Sequence, residues 1–224
     1  MNVFDIIGPI MIGPSSSHTA GAARIGRVAA ILLGEELANA QILLHGSFSK
    51  TYKGHGTDKA LAGGLIGMDI DDIKIKDSLN IAEQKGIKIS FQTGDLGDVH
   101  PNTVFIKAVG KSGKIVTITG SSIGGGNIII NKVNETPVEF SGEYNTLVIK
   151  HLDAPGVIAS VANILVANNV NIANMKDYRS CRGGDAIMVI ETDQEISDPT
   201  LDLIRNTSMV QNAAAIKMLQ AVFK

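Results

Sequence analysis

Two short polar clusters hold the residues whose types and spacing suit chemistry. The first, Ser15-Ser16-Ser17-His18-Thr19, sets four hydroxyls around one imidazole, directly behind Gly13-Pro14 and ahead of an apolar stretch. A helix start has free N–H groups and the positive end of the helix dipole, so hydroxyls gathered there suit an anion such as a carboxylate. Capping uses one hydroxyl, supplied by Ser17 or Thr19, and leaves the others over. The second cluster, Gly54-His55-Gly56-Thr57-Asp58, sets a histidine between two glycines, an arrangement that leaves the ring uncovered and lets a small molecule approach the backbone. A neutral imidazole takes a proton readily near pH 7, so His55 and His18 are the candidate general bases. Thr57 and Asp58 suit an N-cap for the helix that follows.

Two further loops share this character. "GDVHPNTV" carries His100 and Asn102, and "SSIGGGNIII", at 121–130, is a glycine-rich turn between strands that permits a backbone nest or a close approach. No G-x-S-x-G elbow, P-loop or H-E-x-x-H helix is present. The G-x-G patterns lack the strand, helix and downstream acid of a dinucleotide fold.

The elements that must position these clusters are legible from apolar spacing. Ile25, Val28, Ala29 and Leu32 form a helical stripe after the first cluster, and Leu61, Leu65 and Ile66 one after the second. A polar stretch at 131–146, with Pro137 and Gly142, predicts a domain boundary near residue 142, giving domains 1–142 and 143–224. In the second domain "NTLVIKHL" reads as a strand, and Val157, Val161, Ile164 and Leu165 as a helix face. "VNIANMKDYRS" and "DAIMVIETD" read as a hairpin joined by "CRGG". Ser197 or Asp198 caps a helix with Pro199 in its first turn, and an apolar stretch at 208–219 ends the pattern. The fold class is α/β (α+β), with a ferredoxin-like split βαββαβ at the C-terminal end.

Composition narrows the function classes. The 224 residues are 44% apolar, which is enough for a real core, and the net charge of −2 comes without a basic run. Few aromatics and no basic stripe argue against nucleic acid as a partner. The N-terminal stretch carries Asp5 and Pro9 and no basic region, unlike a signal peptide, and no apolar run is long enough to span a bilayer. A single cysteine, Cys181, permits no internal disulfide and suits the reducing cytoplasm, so a cytoplasmic location is expected.

The segment "DAPGVIASVANILVANNVNIANM" resembles an ACT domain, a regulatory module that typically binds an amino acid. Asp153, Pro155 and Gly156 match its turn before the first helix, and Asn171 and Ile172 the start of its second strand. "GPSSSHTAGAARIGR", "GSFSKTYKGHGTDKALAGGLIGM", "HPNTV" and "SSIGGGNI", followed by this module, resemble the β-subunit family of bacterial iron–sulfur-dependent L-serine dehydratases over nearly the whole chain. The first domain also resembles the allosteric substrate-binding domain of some phosphoglycerate dehydrogenases.

The resemblance implies dehydration of L-serine to aminoacrylate, and so to pyruvate and ammonia. It implies a [4Fe–4S] cluster, with an open iron acting on the departing hydroxyl, and cluster cysteines on a separate α subunit, because one cysteine cannot hold the cluster. His55, with His18 as the alternative, is then the base. Ser15, Ser16, Ser17, Thr19 and Thr57 are substrate contacts, and Asp58 is a candidate for the substrate ammonium. Asp153, Gly156, Asn171 and Ile172 are the regulatory-ligand candidates, with self-association through the ACT domains. A non-catalytic amino-acid sensor is the alternative reading.

Overall fold

A computed structural model describes residues 11–217. The ends of the chain, including Asp5 and Pro9 and the last residues of the 208–219 stretch, lie outside the described residues. The chain forms two compact units, the first ending at Glu135 and the second beginning at Thr136.

The first unit opens with a π-helical turn, Ser16–Gly21, running straight into α1, Ala22–Leu33. Next come β1 (Leu37–Leu44), α2 (Gly46–Thr51) and α3 (Thr57–Leu65). A 3₁₀ turn at Ile73–Asp77 leads to α4 (Ser78–Gln84) and then to strands β2 (Lys88–Thr93), β3 (Thr103–Gly110), β4 (Ile115–Gly124) and β5 (Asn127–Val133). These strands lie in the order β2-β1-β3-β4-β5. β1 pairs in parallel with β2 and antiparallel with β3, and the later neighbours are antiparallel.

Register explains how this sheet buries its core. Ile42 stands opposite Ile106, and Ile106 opposite Ile118, so one buried row crosses β1, β3 and β4. Alternate residues share a face, which puts Ala40, Leu44, Val104 and Ala108 on that side with them. α1 covers this row with the stripe expected of it: Ile25, Val28, Ala29 and Leu32 are all buried. Burying side chains of this size stabilises by roughly 1.5–3 kcal/mol each.

α1 and α3 cross where both carry glycine. A Cβ on Gly64 would fall 2.0 Å from the Ala23 carbonyl oxygen, and one on Gly26 would fall 2.4 Å from that of Leu61. Backbones this close require glycine on both helices. The two polar clusters also meet, with Thr19 Oγ1 3.4 Å from the His55 carbonyl oxygen.

The second unit begins with β6 (Thr136–Phe140) and continues β7 (Asn145–Leu152), α5 (Val157–Ala167), β8 (Ile172–Arg179), β9 (Asp185–Thr192), α6 (Asp198–Arg205) and β10 (Val210–Ile216). From β7 on this is βαββαβ, with the four-stranded order β10-β7-β9-β8 of the split βαβ fold. Val157, Val161 and Leu165 of α5 and Leu201 and Ile204 of α6 close over Leu147, Ile149, Met188 and Ile190. Ser197 is the α6 cap, its hydroxyl accepting from the Thr200 amide.

Candidate active site

The first cluster is the π-turn itself. Its cap is Ser15, whose hydroxyl accepts the His18 amide at 3.2 Å; neither Ser17 nor Thr19, the expected caps, performs this role. The turn starts two residues earlier than a cap at Ser17 would place it. That leaves Ser16 and Ser17 in the first turn, half-buried, where amides have no intrahelical acceptor. Thr19, 2% exposed, turns inward and donates its hydroxyl to the His55 carbonyl at 3.4 Å.

The second cluster is the turn before α3. Gly56, at φ 69°, is its N-cap and supplies no side chain, so Thr57 and Asp58 are not caps as expected but the first residues of the helix. Asp58 accepts the amide of Lys59, which draws one carboxylate oxygen to its own helix. Thr57 is fully buried. His55 is less bare than its flanking glycines suggest: it is half-buried, and its ring meets His18 edge-on with centroids 4.8 Å apart.

His18 is the better held of the two rings. Its Nδ1 lies 3.3 Å from Ser15 Oγ and its Nε2 3.2 Å from Ser47 Oγ on α2. Burial, and then the charge of His55 when protonated, lower its pKa from the ordinary value. The pair therefore resists taking two protons.

The other two polar loops meet the same turn. A Cβ on Gly21 would lie 2.1 Å from Ser122 Oγ of β4, so the serine abuts the π-turn. The Ser122 amide donates to the Asn102 carbonyl at 3.0 Å, and Asn102 Nδ2 lies 3.5 Å from the Ser122 carbonyl. Pro101 accepts the Ser47 amide at 2.7 Å, tying the same loop to α2. Arg24 of α1 reaches the glycine turn after β4 and donates to the Gly126 carbonyl at 2.7 Å.

Four buried polar atoms in this region, His55 Nδ1, Thr57 Oγ1, Asn102 Oδ1 and Ser122 Oγ, have no hydrogen-bond partner in the structure. Each such group costs about 1–3 kcal/mol if left unsatisfied. Four of them on elements packed around one turn point to a missing polar ligand. Ser122 and Ser47 were not singled out from sequence, and Asn102 was named only as part of a third polar loop. Their signal was present, in the third polar loop and the glycine-rich turn, but neither has a helix start to mark it. A cavity of about 530 Å³ elsewhere in the unit, lined in part by Ala30 and Lys111, lies toward the far end of α1 and touches none of these residues.

Comparison with known proteins decides the family. Residues 2–87 match the model described as serine dehydratase beta chain, and residues 145–207 match the ACT domain. The chain is 49% identical to the probable L-serine dehydratase beta chain of Bacillus subtilis (strain 168), over 90% of this chain and 91% of that one. It is 39% identical to the L-serine dehydratase beta chain of Peptoniphilus asaccharolyticus, over 88% and 89%. The chain belongs to the serine dehydratase β-chain family. A more distant likeness, 26% identity over 88% of this chain but 36% of the other, is to the D-3-phosphoglycerate dehydrogenase of Synechocystis. In this β chain Asn102 and Ser122 lie between the two matched segments.

The ACT domain places its four candidate residues at two ends of one sheet. Asp153 accepts from the Gly183 amide at 3.0 Å and lies 3.3 Å from Arg179 Nη1, so it ties down the β8–β9 loop beside Gly156. The Gly183 amide, followed by Arg179, holds the Asp153 carboxyl below its ordinary pKa. Ile172 instead pairs with Thr192 at the other end of β8, and Asn171 donates to Asp193. Seven strand steps separate these ends, roughly 23 Å. Gly156 stands at φ 93° with open space around a Cβ position. A side chain there strains the backbone without blocking anything in the chain.

Proposed function

We propose that this chain acts as the β chain of an L-serine dehydratase, a lyase that removes ammonia from L-serine to give pyruvate, and that the chamber around the π-turn receives the substrate. The four buried polar atoms without partners carry this reading, since serine has a carboxylate, an ammonium and a hydroxyl to satisfy them. The turn of Ser15, Ser16, Ser17, His18 and Thr19 offers amides and hydroxyls to the carboxylate. Thr57 and Asn102 face polar groups of the same molecule, and Asp58 has one carboxylate oxygen left for the ammonium.

His55 takes the Cα proton in this reading. Its Nδ1 is buried and unpartnered, and the neighbouring His18 is the ring whose proton affinity is lowered. Loss of that proton and of the β-hydroxyl leaves aminoacrylate, which hydrolyses to pyruvate and ammonia. His18 serves as the neighbour that keeps the site from accumulating charge.

A [4Fe–4S] cluster does not fit this chain's own residues. Cys181 is its one cysteine, and it is exposed in the β8–β9 loop. Among the described residues no group of three or more His, Cys, Asp or Glu gathers to hold a metal. The cluster thiolates then belong to an α subunit, the partner of this chain. Among the described residues no helix is long and apolar enough to cross a membrane.

For the ACT domain, a regulatory amino acid such as L-serine is the proposed ligand, bound between two copies. β8 is an edge strand, and a two-fold pairing of two β8 edges runs them antiparallel. Asp153 and Gly156 of one copy then approach Asn171 and Ile172 of the other. Ligand binding changes activity only if it favours one arrangement of subunits.

The test is anaerobic co-expression with the cysteine-bearing α subunit. Pyruvate formed from L-serine by the iron-loaded pair, and by neither chain alone, is the expected result. Activity of α alone equal to that of the pair would overturn the catalytic reading and leave a sensor.

A further inference from the structure

We propose that Ser47 is a positioning residue: its hydroxyl accepts the Nε2 proton of His18 and, together with Ser15, holds that ring as the neutral Nε2–H tautomer edge-on to His55. The inference deepens the reading in which His55 is the base, and it rests on that reading.

The two ring contacts are compatible with Ser15 donating to Nδ1 and Nε2 donating to Ser47. Ser15 Oγ already accepts the His18 amide at 3.2 Å, so its own proton is free to go to Nδ1, 3.3 Å away. A neutral imidazole that accepts at one nitrogen must carry its proton on the other. That nitrogen, Nε2, meets Ser47 Oγ at 3.2 Å.

Ser47 is itself immobile enough to act this way. Its amide donates to the Pro101 carbonyl at 2.7 Å, and its carbonyl accepts the Thr51 hydroxyl at 2.9 Å. The residue before it, Gly46, sits at φ 55°, where a Cβ would lie 2.5 Å from the Pro101 oxygen, so the helix start presses directly against that loop. Phe48, fully buried on the same helix, meets the His18 ring edge-on at 5.4 Å.

The π-turn and α2 thus meet the ring with hydroxyls and a phenyl group. The titratable group facing it is His55, at 4.8 Å. A ring locked neutral in this way leaves His55 to carry any proton the pair takes up. Without Ser47 the Nε2–H has no acceptor, and the Nδ1–H tautomer, with Ser15 accepting, becomes competitive.

The full-length chain, labelled with ¹⁵N at histidine, reports the tautomer of each ring by long-range ¹⁵N–¹H spectra above the histidine titration range. The expected result is a single Nε2–H form for His18 in the wild type. Ser47→Ala should mix the two tautomers, and Ser47→Thr should restore the single form. An Nδ1–H form in the wild type overturns the proposal with no variant needed. So does a Ser47→Ala chain that keeps the wild-type tautomer. In the α-loaded complex, Ser47→Ala should lower kcat about tenfold with KM near that of the wild type, as expected when a positioned group is loosened. An unchanged kcat overturns the proposed role as well. The spectra do not depend on which group is the base, whereas His55→Ala activity does, so failure of the positioning role and failure of the base assignment are read separately.

Discussion

At the scale of single residues, the site is defined by polar groups that the free chain leaves unsatisfied. Thr57 gives the sharpest contrast, because its hydroxyl is fully buried and has no partner. Thr57→Val keeps the shape and removes that hydroxyl, so the free chain should be as stable or more stable, by up to about 1 kcal/mol. The KM for L-serine should rise several-fold in the complex. A lowered melting temperature with unchanged KM would make Thr57 a packing residue.

His18 makes a prediction about pH. Its folded-state pKa is depressed, so the unfolded chain binds its proton more readily. The stability it contributes is present above the ordinary histidine pKa, about 6.5, and is lost as pH falls through the depressed value. His18→Gln should flatten the fall in melting temperature below about pH 6.5; an equal slope in both proteins would contradict this. That a polar cluster opens the first helix was legible in the sequence. Which hydroxyl does what was not. Ser15 rather than Ser17 caps because the helix opens with a π-turn, which residue types do not announce.

At the scale of elements, α1 and α3 touch along their backbones. Gly64→Ala would place a methyl group 2.0 Å from the Ala23 carbonyl oxygen, which backbone cannot yield without moving a helix. Destabilisation of about 1–3 kcal/mol is expected. Activity should fall further than Tm suggests, because His18 and His55 ride on the separating helices. A fully active Gly64→Ala enzyme would show that the helix crossing does not set the site. In the ACT domain Asp153 plays the comparable part for the β8–β9 loop. Asp153→Ala should speed amide exchange at Gly183. In the wild type that protection is present above the ordinary carboxylate pKa and lost as pH falls through the depressed one. Exchange at Gly183 that is the same in both proteins would count against this link.

The stripes of α1 and α5, and the βαββαβ order, were readable because apolar spacing has a period. The meeting of Asn102 and Ser122 with the π-turn was not, since it depends on β3 starting, and β4 ending, beside that turn. The separation of Asp153 from Asn171 follows from the crossover: α5 carries the chain back along the sheet, so its start and the start of β8 must lie at opposite ends.

At the scale of the whole molecule, the chain carries polar groups gathered around the π-turn but only one cysteine. Under the proposed function, family membership and the single cysteine together divide the work between two subunits. The measurement that tests this account most directly is the steady-state rate of pyruvate formation by the anaerobically purified, iron-loaded α–β complex, with wild-type β chain against His55→Ala. The account predicts that kcat falls by about 10²-fold or more, the scale for losing a positioned base. Iron content and subunit stoichiometry should stay the same. A His55→Ala complex with full iron content and a kcat near that of the wild type would contradict it.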